Sequence, residues 1–185
     1  MSLRAFAQAR AVGALLAVDP GATYVGLALC AAPQLFGATP YGLLQRVANE
    51  QWELRKVSIF GGNPTSLRFG SQTAGLIHVL EEQQVTGVVY GMPYHADGSV
   101  SKECWLVEQQ AQKLRTAAGP RLPVLLWDES FSTVGAVGHS RVPRPRDAVW
   151  AHSVSACIIL QEVLQALRAP AFDNSAGGAA PGRAG

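Results

Sequence analysis

Ala14-Leu15-Leu16-Ala17-Val18-Asp19-Pro20-Gly21-Ala22-Thr23-Tyr24-Val25-Gly26-Leu27-Ala28-Leu29-Cys30 holds two apolar runs, 14–18 and 25–30, joined by a six-residue turn that opens on Asp-Pro-Gly. Apolar runs of this length bounded by turn residues read as buried strands, and two so close together read as a hairpin. Further along, Tyr41 to Val47 reads as a third strand. Ser71 to Gln84 carries Leu76, Ile77 and Leu80 at helical spacing and feeds a strand from Val85 to Tyr90. A helix over Ser99 to Ala117 has Cys104, Val107, Ala111 and Leu114 on one stripe, with Ser99 or Ser101 able to cap it and Gly119-Pro120 to end it. A strand from Val124 to Trp127 follows, then a last helix from Asp147 to Arg168 with Val154, Cys157, Ile158, Leu160, Leu164 and Leu167 as its apolar face. Three antiparallel strands followed by helix and strand crossovers predict an α/β fold, a mixed five-stranded sheet with helices on both faces.

The chain has 185 residues, which is one domain of ordinary size. With 48% hydrophobic and 15% charged residues it is no disordered chain, and its apolar runs fall far short of the roughly 20 residues of a membrane span. No membrane partner is expected. The net charge of +2 decides nothing by itself, although twelve of the fifteen bases are Arg, the better phosphate fork. Cys30, Cys104 and Cys157 stand at no metal-ligand spacing and read as core thiols of a reducing compartment. Residues 1–13 have Arg4 and Arg10 and no acid, the composition of a transit peptide, so the location is cytoplasmic, or chloroplast or mitochondrial if they belong to one. The Ala, Gly and Pro tail 169–185 is expected to be disordered, which leaves 14–168 as the domain. Within it, 45–70 is an irregular excursion whose Trp52 and Phe60 offer a surface to a protein partner.

Three places can carry chemistry. Asp19 ends a central strand, where α/β proteins place ligands, and Gly21 beside it lets backbone approach a phosphate; a turn Asp bonding its own amides is the bland alternative. Asp128-Glu129-Ser130 follows the strand that ends at Trp127, so its acids emerge at the same sheet edge if that strand is parallel to the first. Because side chains alternate along a strand, only one of Asp128 and Glu129 faces the site. On the last helix His152, Ser155 and Ala156 share a face, whereas Asp147 lies about 140° away around it and reads as a helix N-terminal acid. Arg141, Arg144 and Arg146, spaced by Pro143 and Pro145, form an extended cationic arm suited to a phosphate backbone.

These segments, in this order, resemble the YqgF/RuvX family, relatives of the RuvC Holliday junction resolvases within the RNase H-like superfamily. The resemblance runs from about Leu15 to Glu162. It rests on Asp19-x-Gly21-x-x-x-x-Gly26, on Val88-Val89-Tyr90-Gly91-Met92-Pro93 with Asp97-Gly98-Ser99, on Asp128-Glu129-Ser130 with Ser132-Thr133-Val134, and on His152-Ser153-Val154-Ser155-Ala156-Cys157-Ile158-Ile159-Leu160. It implies an RNase H-like fold and a metal-dependent nuclease that hydrolyses phosphodiester bonds, in maturation of the small-subunit ribosomal RNA precursor or in branched DNA. It implies acids gathered around Mg²⁺ or Mn²⁺, here Asp19 and Glu129 or Asp128, with His152 as a further ligand or a base, and structured RNA or branched DNA bound by a monomer or a dimer. The chain also departs from the family. Ala22-Thr23 replaces a Thr-Lys pair, Ser130 replaces an Arg, and His152 falls where an Asp is usual. Neutral imidazole supplies a donor atom without the charge that offsets a second ion. The alternative is therefore a catalytically degenerate member that serves as a nucleic-acid-binding or assembly subunit. An actin-like sugar kinase also opens on a strand hairpin, but it needs two such domains and the chain has room for one.

Overall fold

A computed structural model of the chain describes residues 1–9, 13–31, 37–57, 66–95, 97, 99–128 and 148–169. The two apolar runs form β1 (Ala14–Asp19) and β2 (Tyr24–Cys30), antiparallel, with Leu16 opposite Leu29 and Asp19 opposite Gly26. β3 (Thr39–Arg46), β4 (Trp52–Lys56) and β5 (Ser66–Phe69) extend the sheet outward from β2, each antiparallel to the last. The helix α2 (Gln72–Glu82) leads into β6 (Val85–Met92), which returns to the centre parallel to β1; α3 (Lys102–Ala118) leads into β7 (Val124–Asp128), parallel to β6. The last helix is α4 (Ala148–Arg168), and a short helix α1 (Leu3–Ala9) precedes β1. The strand order is β5-β4-β3-β2-β1-β6-β7. Its inner five strands are the expected mixed sheet, β3, β2 and β1 antiparallel and β1, β6 and β7 parallel.

The sheet has seven strands rather than five, because the excursion 45–70 contains β4 and β5. In β4 only Trp52 and Leu54 turn inward between charged neighbours, and two apolar residues give too short an alternation to stand out. β5, Ser66-Leu67-Arg68-Phe69, alternates polar and apolar, but four residues are too few to stand out as a period. The sheet gives two cores. On one side Leu16, Val18, Leu27, Leu44, Leu54, Val88 and Tyr90 meet α2 and α3 through Leu76, Val79, Val107 and Leu114. On the other, Leu15, Ala17, Ala28, Val89 and Leu125 meet α4 through Ala156, Ile159, Leu160, Val163 and Leu164. The face α4 buries is thus rotated from the expected stripe: Val154, Cys157 and Ile158 are only half-buried, whereas Ser153 is fully buried. Apolar residues lie nearly all round this helix, so periodicity left its orientation open, and a polar contact at Ser153 settles it.

The N-terminal helix is part of the fold. Phe6 is fully buried in the α4-side core, and a Cβ added to Gly87 of β6 would stand 3.0 Å from its ring. Burying such a ring contributes about 1.5–3 kcal/mol, so Leu3–Ala9 belongs to the folded unit rather than lying outside it. The tail from 170 onward lies outside the described residues. Both interior helices start as their sequences predict: Ser71 Oγ accepts from the Ala74 amide and Ser101 Oγ from the Cys104 amide, each at 3.1 Å. Cys30 and Cys104 are buried thiols, and burial pushes the half-buried Cys157 thiol up to about 12.

Two glycines seat α4 on the sheet. A Cβ at Gly26 of β2 would fall 2.0 Å from the His152 carbonyl oxygen, so the helix backbone rests directly on the strand backbone. One strand further out, Ser153 Oγ donates to the Gly42 carbonyl at 2.8 Å, and a Cβ at Gly42 would meet the Arg55 carbonyl oxygen at 2.3 Å. On the opposite face the outer strands are tied to α2. Lys56 Nζ donates to Glu82 at 2.5 Å and Tyr41 Oη donates to the same carboxylate at 2.5 Å, holding Glu82 down at about 2.

Two outcomes follow from these contacts. Gly26→Ala must push one backbone off another and is expected to cost about 3 kcal/mol or more. Gly75→Ala meets side chains rather than backbone, the Leu44 methyls at 2.7 and 3.2 Å and the Phe69 ring at 3.3 Å, and should cost about 1 kcal/mol. Urea melts of both variants check this, and equal losses would show that α4 can lift from β2 freely. Glu82→Gln should cost about 0.5–1 kcal/mol at pH 7, the range for a solvent-screened pair. Because the Glu82 carboxyl is depressed on folding, its stabilisation is present above pH 4.5 and fades as pH falls toward 2, so the two proteins should converge in acid melts.

Candidate functional site

The hairpin register places the first acid. Asp19 is the last residue of β1 and pairs with Gly26, the same glycine on which the His152 backbone rests. The second glycine of the Asp-x-Gly-x-x-x-x-Gly stretch is therefore a seat for the helix. The first, Gly21, is required by the turn itself, since a Cβ there would lie 2.4 Å from the Tyr24 carbonyl oxygen. Asp19 alternates with Ala17 and Leu15, so its carboxylate emerges on the α4 side of the sheet.

On that side Asp19 and His152 come together. Asp19 is half-buried, and burial raises its carboxyl above the ordinary carboxylate range; the positive charge His152 can carry and a hydrogen bond from the Ser155 hydroxyl partly offset this. His152 in turn stacks on Tyr24 of β2, ring centroids 5.0 Å apart and planes 22° from parallel. One carboxylate, one imidazole, one hydroxyl and one phenol ring thus share a corner at the carboxyl end of the central strand. Sequence reasoning placed Asp19, His152 and Ser155 but not Tyr24. The signal was available in the hairpin register, because a residue two before Gly26 points to the same face as Gly26.

Asp128 reaches the same edge but not the same face. β1, β6 and β7 are parallel, with Val18 beside Tyr90 and Tyr90 beside Leu126, so Asp19 and Asp128 end strands two spacings apart, about 10 Å. Alternation groups Asp128 with Val124 and Leu126 on the α3 side, where its charge helps raise the Tyr94 hydroxyl. At the strand end it also borders, with Trp127 and Glu162, a hollow beside the second half of α4. Glu129, Arg141, Arg144, Arg146 and Asp147 lie outside the described residues. Among the described residues no three His, Cys, Asp or Glu side chains gather as a metal site would, and no helix is long and apolar enough to cross a membrane.

The donor set is nevertheless compatible with one divalent ion. Asp19 is a hard oxygen ligand whose burial penalises its charge, a penalty that a cation would relieve, and imidazole is a ligand that Mn²⁺ accepts. For two ions the one carboxylate that the described residues bring to this corner carries too little negative charge.

Comparison with known proteins bears on the whole chain. A protein from Novosphingobium aromaticivorans named "Putative pre-16S rRNA nuclease" is 27% identical over 163 residues, covering 86% of this chain and 90% of its own length. One of the same name from a Chelativorans strain is 30% identical over 176 residues, covering 91% of this chain and 96% of its own. A solved structure of Thermus thermophilus RuvC superposes with a TM-score of 0.42 at 14% identity, covering 83% of this chain and 93% of that one. The family model described as "RuvX: Holliday junction resolvase" matches residues 65–166, more than half of the chain. With the central strands, the hairpin and the last helix all in the order that the resemblance requires, the chain belongs to the RuvX family.

Proposed function

We propose that this chain is a nuclease that hydrolyses phosphodiester bonds in a ribosomal RNA precursor or in branched DNA, with Asp19 and Glu129 holding Mg²⁺ or Mn²⁺ and His152 beside them. The observation that carries the reading is the Asp19 carboxylate, half-buried at the end of the central strand and facing His152 and Ser155. An acid kept at a burial cost, at the sheet edge where α/β proteins bind ligands, is the signature of a working group rather than of a turn. The family and the names of the relatives supply the reaction class.

Each residue then has a task. The Ser155 hydroxyl fixes the rotamer of Asp19, and Tyr24 fixes the plane of the His152 ring. Neutral His152 accepts the proton of the attacking water. A bound divalent ion would act as a Lewis acid on the phosphoryl oxygens. Arg141, Arg144 and Arg146 supply cations for the phosphate backbone. The degenerate reading, an RNA-binding or assembly subunit without cleavage, is favoured by the loss of the family's Lys, Arg and Asp.

His152→Ala should abolish Mg²⁺- or Mn²⁺-dependent cleavage of a labelled ribosomal RNA precursor or a four-way DNA junction, whereas His152→Asp should keep or raise it. Absence of cleavage by the wild type with either ion would favour the degenerate subunit, and cleavage untouched by His152→Ala would remove His152 from the site. Asp19→Asn should abolish cleavage and yet raise the melting temperature by roughly 2–4 °C, the equivalent of about 1 kcal/mol in a domain of this size. The sign follows from the raised carboxyl: the folded state holds its proton more tightly than the unfolded state, so ionised Asp19 costs stability, and more so as pH rises. The gain should therefore shrink in melts at acid pH, where Asp19 is protonated. Saturating Mn²⁺ should stabilise the wild type and leave Asp19→Asn unmoved.

A further inference from the structure

Beyond α4 the sheet continues. The helix covers β1, β2 and β3, while β4 and β5 run on past it, and on the α4 side they carry polar residues only. The register places these residues in two rows. Tyr24 stands opposite Gln45, Gln45 opposite Glu53 and Glu53 opposite Arg68; one pleat along, Gly26 stands opposite Leu43, Leu43 opposite Arg55 and Arg55 opposite Ser66. Trp52 and Leu54 alternate to the α2 side, as does Lys56, which is paired with Glu82 there. Tyr24, Gln45, Glu53, Arg55, Ser66 and Arg68 therefore form one polar surface that begins at the stacked rings of Tyr24 and His152.

Among the described residues the cations on this surface are poorly satisfied. Arg55 is half-buried on β4, directly beside β3, and its guanidinium has no hydrogen bond or ion pair with any described residue. Arg68 is largely exposed and touches Glu53 through Nε at 3.4 Å, and among the described residues the two terminal nitrogens of its fork have no partner. A guanidinium held against a sheet without a carboxylate, next to a second one with an open fork, has the chemistry of a phosphate contact. The span also fits, because three strand spacings from Tyr24 to Arg68 are about 14 Å, room for a few nucleotides.

We propose that this wing is the track along which a single strand of nucleic acid reaches the Asp19 corner, with Arg55 and Arg68 on its phosphates and an unpaired base against the Tyr24 and His152 rings. It rests on the nuclease reading above only for what happens at the end of the track. Aromatic rings beside a cationic sheet suit unstacked bases and no particular sequence, whereas a duplex, with its bases stacked inside, has nothing to offer the rings. A single-stranded arm or overhang is accordingly the part of the substrate that this surface selects.

The test is equilibrium binding of a fluorescent twelve-nucleotide oligouridine, and of a blunt duplex of the same length, to the full chain in EDTA, so that no cleavage enters. Arg55→Gln and Arg68→Gln together should lower the slope of log affinity against log salt by about 1.4 for the single strand, since each phosphate contact contributes about 0.7. Tyr24→Leu should weaken oligouridine binding by roughly tenfold, as loss of one stacked base does. Melting curves of the variants should match the wild type, and a lysine pair at 55 and 68 should restore the slope. An unchanged slope in the folded glutamine variant, or a wild type that binds the blunt duplex as tightly as the oligouridine, would overturn the proposal. The two readings fail separately: a chain that cleaves but keeps its slope loses the track and keeps the nuclease, and one that never cleaves but loses its slope does the reverse.

Discussion

The approach of α4 to the sheet at Gly26 is the constraint on which the site depends. Helices normally stand off a sheet by the length of two side chains, yet here a main-chain carbonyl of the helix occupies the place a Cβ would take on β2. That contact brings the first turns of α4 down to the level of the strand, and it is the only way the short side chains of His152 and Ser155 can meet a carboxylate that itself barely clears the end of β1. The buried hydrogen bond from Ser153 to the Gly42 carbonyl fixes the rotation of the helix about its own axis. Distance and rotation are thus set by two glycines and one serine, none of which carries chemistry.

Apolar packing alone would not have chosen this orientation. α4 has large apolar residues on most of its circumference, and a helix of that kind can be buried in several rotations with similar gains. A polar group that must be satisfied when buried discriminates far better, since leaving the Ser153 hydroxyl unpaired would cost as much as the packing difference between neighbouring rotations. In this way a single buried hydroxyl specifies a geometry that the hydrophobic effect supports without choosing.

How much of this was legible follows from the same physics. The hairpin, the two parallel strands and the interior helices were readable because their apolar residues recur at one period and their ends carry Ser caps and Gly-Pro stops. β4 and β5 were not, since β4 has five residues and the edge strand β5 four, too few for their alternation of polar and apolar positions to stand out. At the site, Asp19 was legible from its place at the end of an apolar run. Whether Asp128 shared its face was a matter of parity, and parity depends on where β7 ends, which is Asp128 rather than Trp127. Tyr24 stayed hidden because nothing in a lone tyrosine announces a ring stacked on it from 128 residues away, though the hairpin register contains the answer.

The burial of Phe6 ties the two ends of the chain together in time as well as in space. Its ring shares one core with Ile159, Leu160 and Val163, so the first helix to leave the ribosome has no complete surface to dock on until the last one has been made. Contacts this distant in sequence are slow to form, because the loop between them must be closed before they give anything back. The nascent chain would hold β1 and β2 with the α4 side of the sheet bare until α4 has been made, so the seat for α4 is filled long after the hairpin that carries it. Maturation of the Asp19 corner is then coupled to the arrival of α4: a chain truncated within α4 presents an intact hairpin and no site.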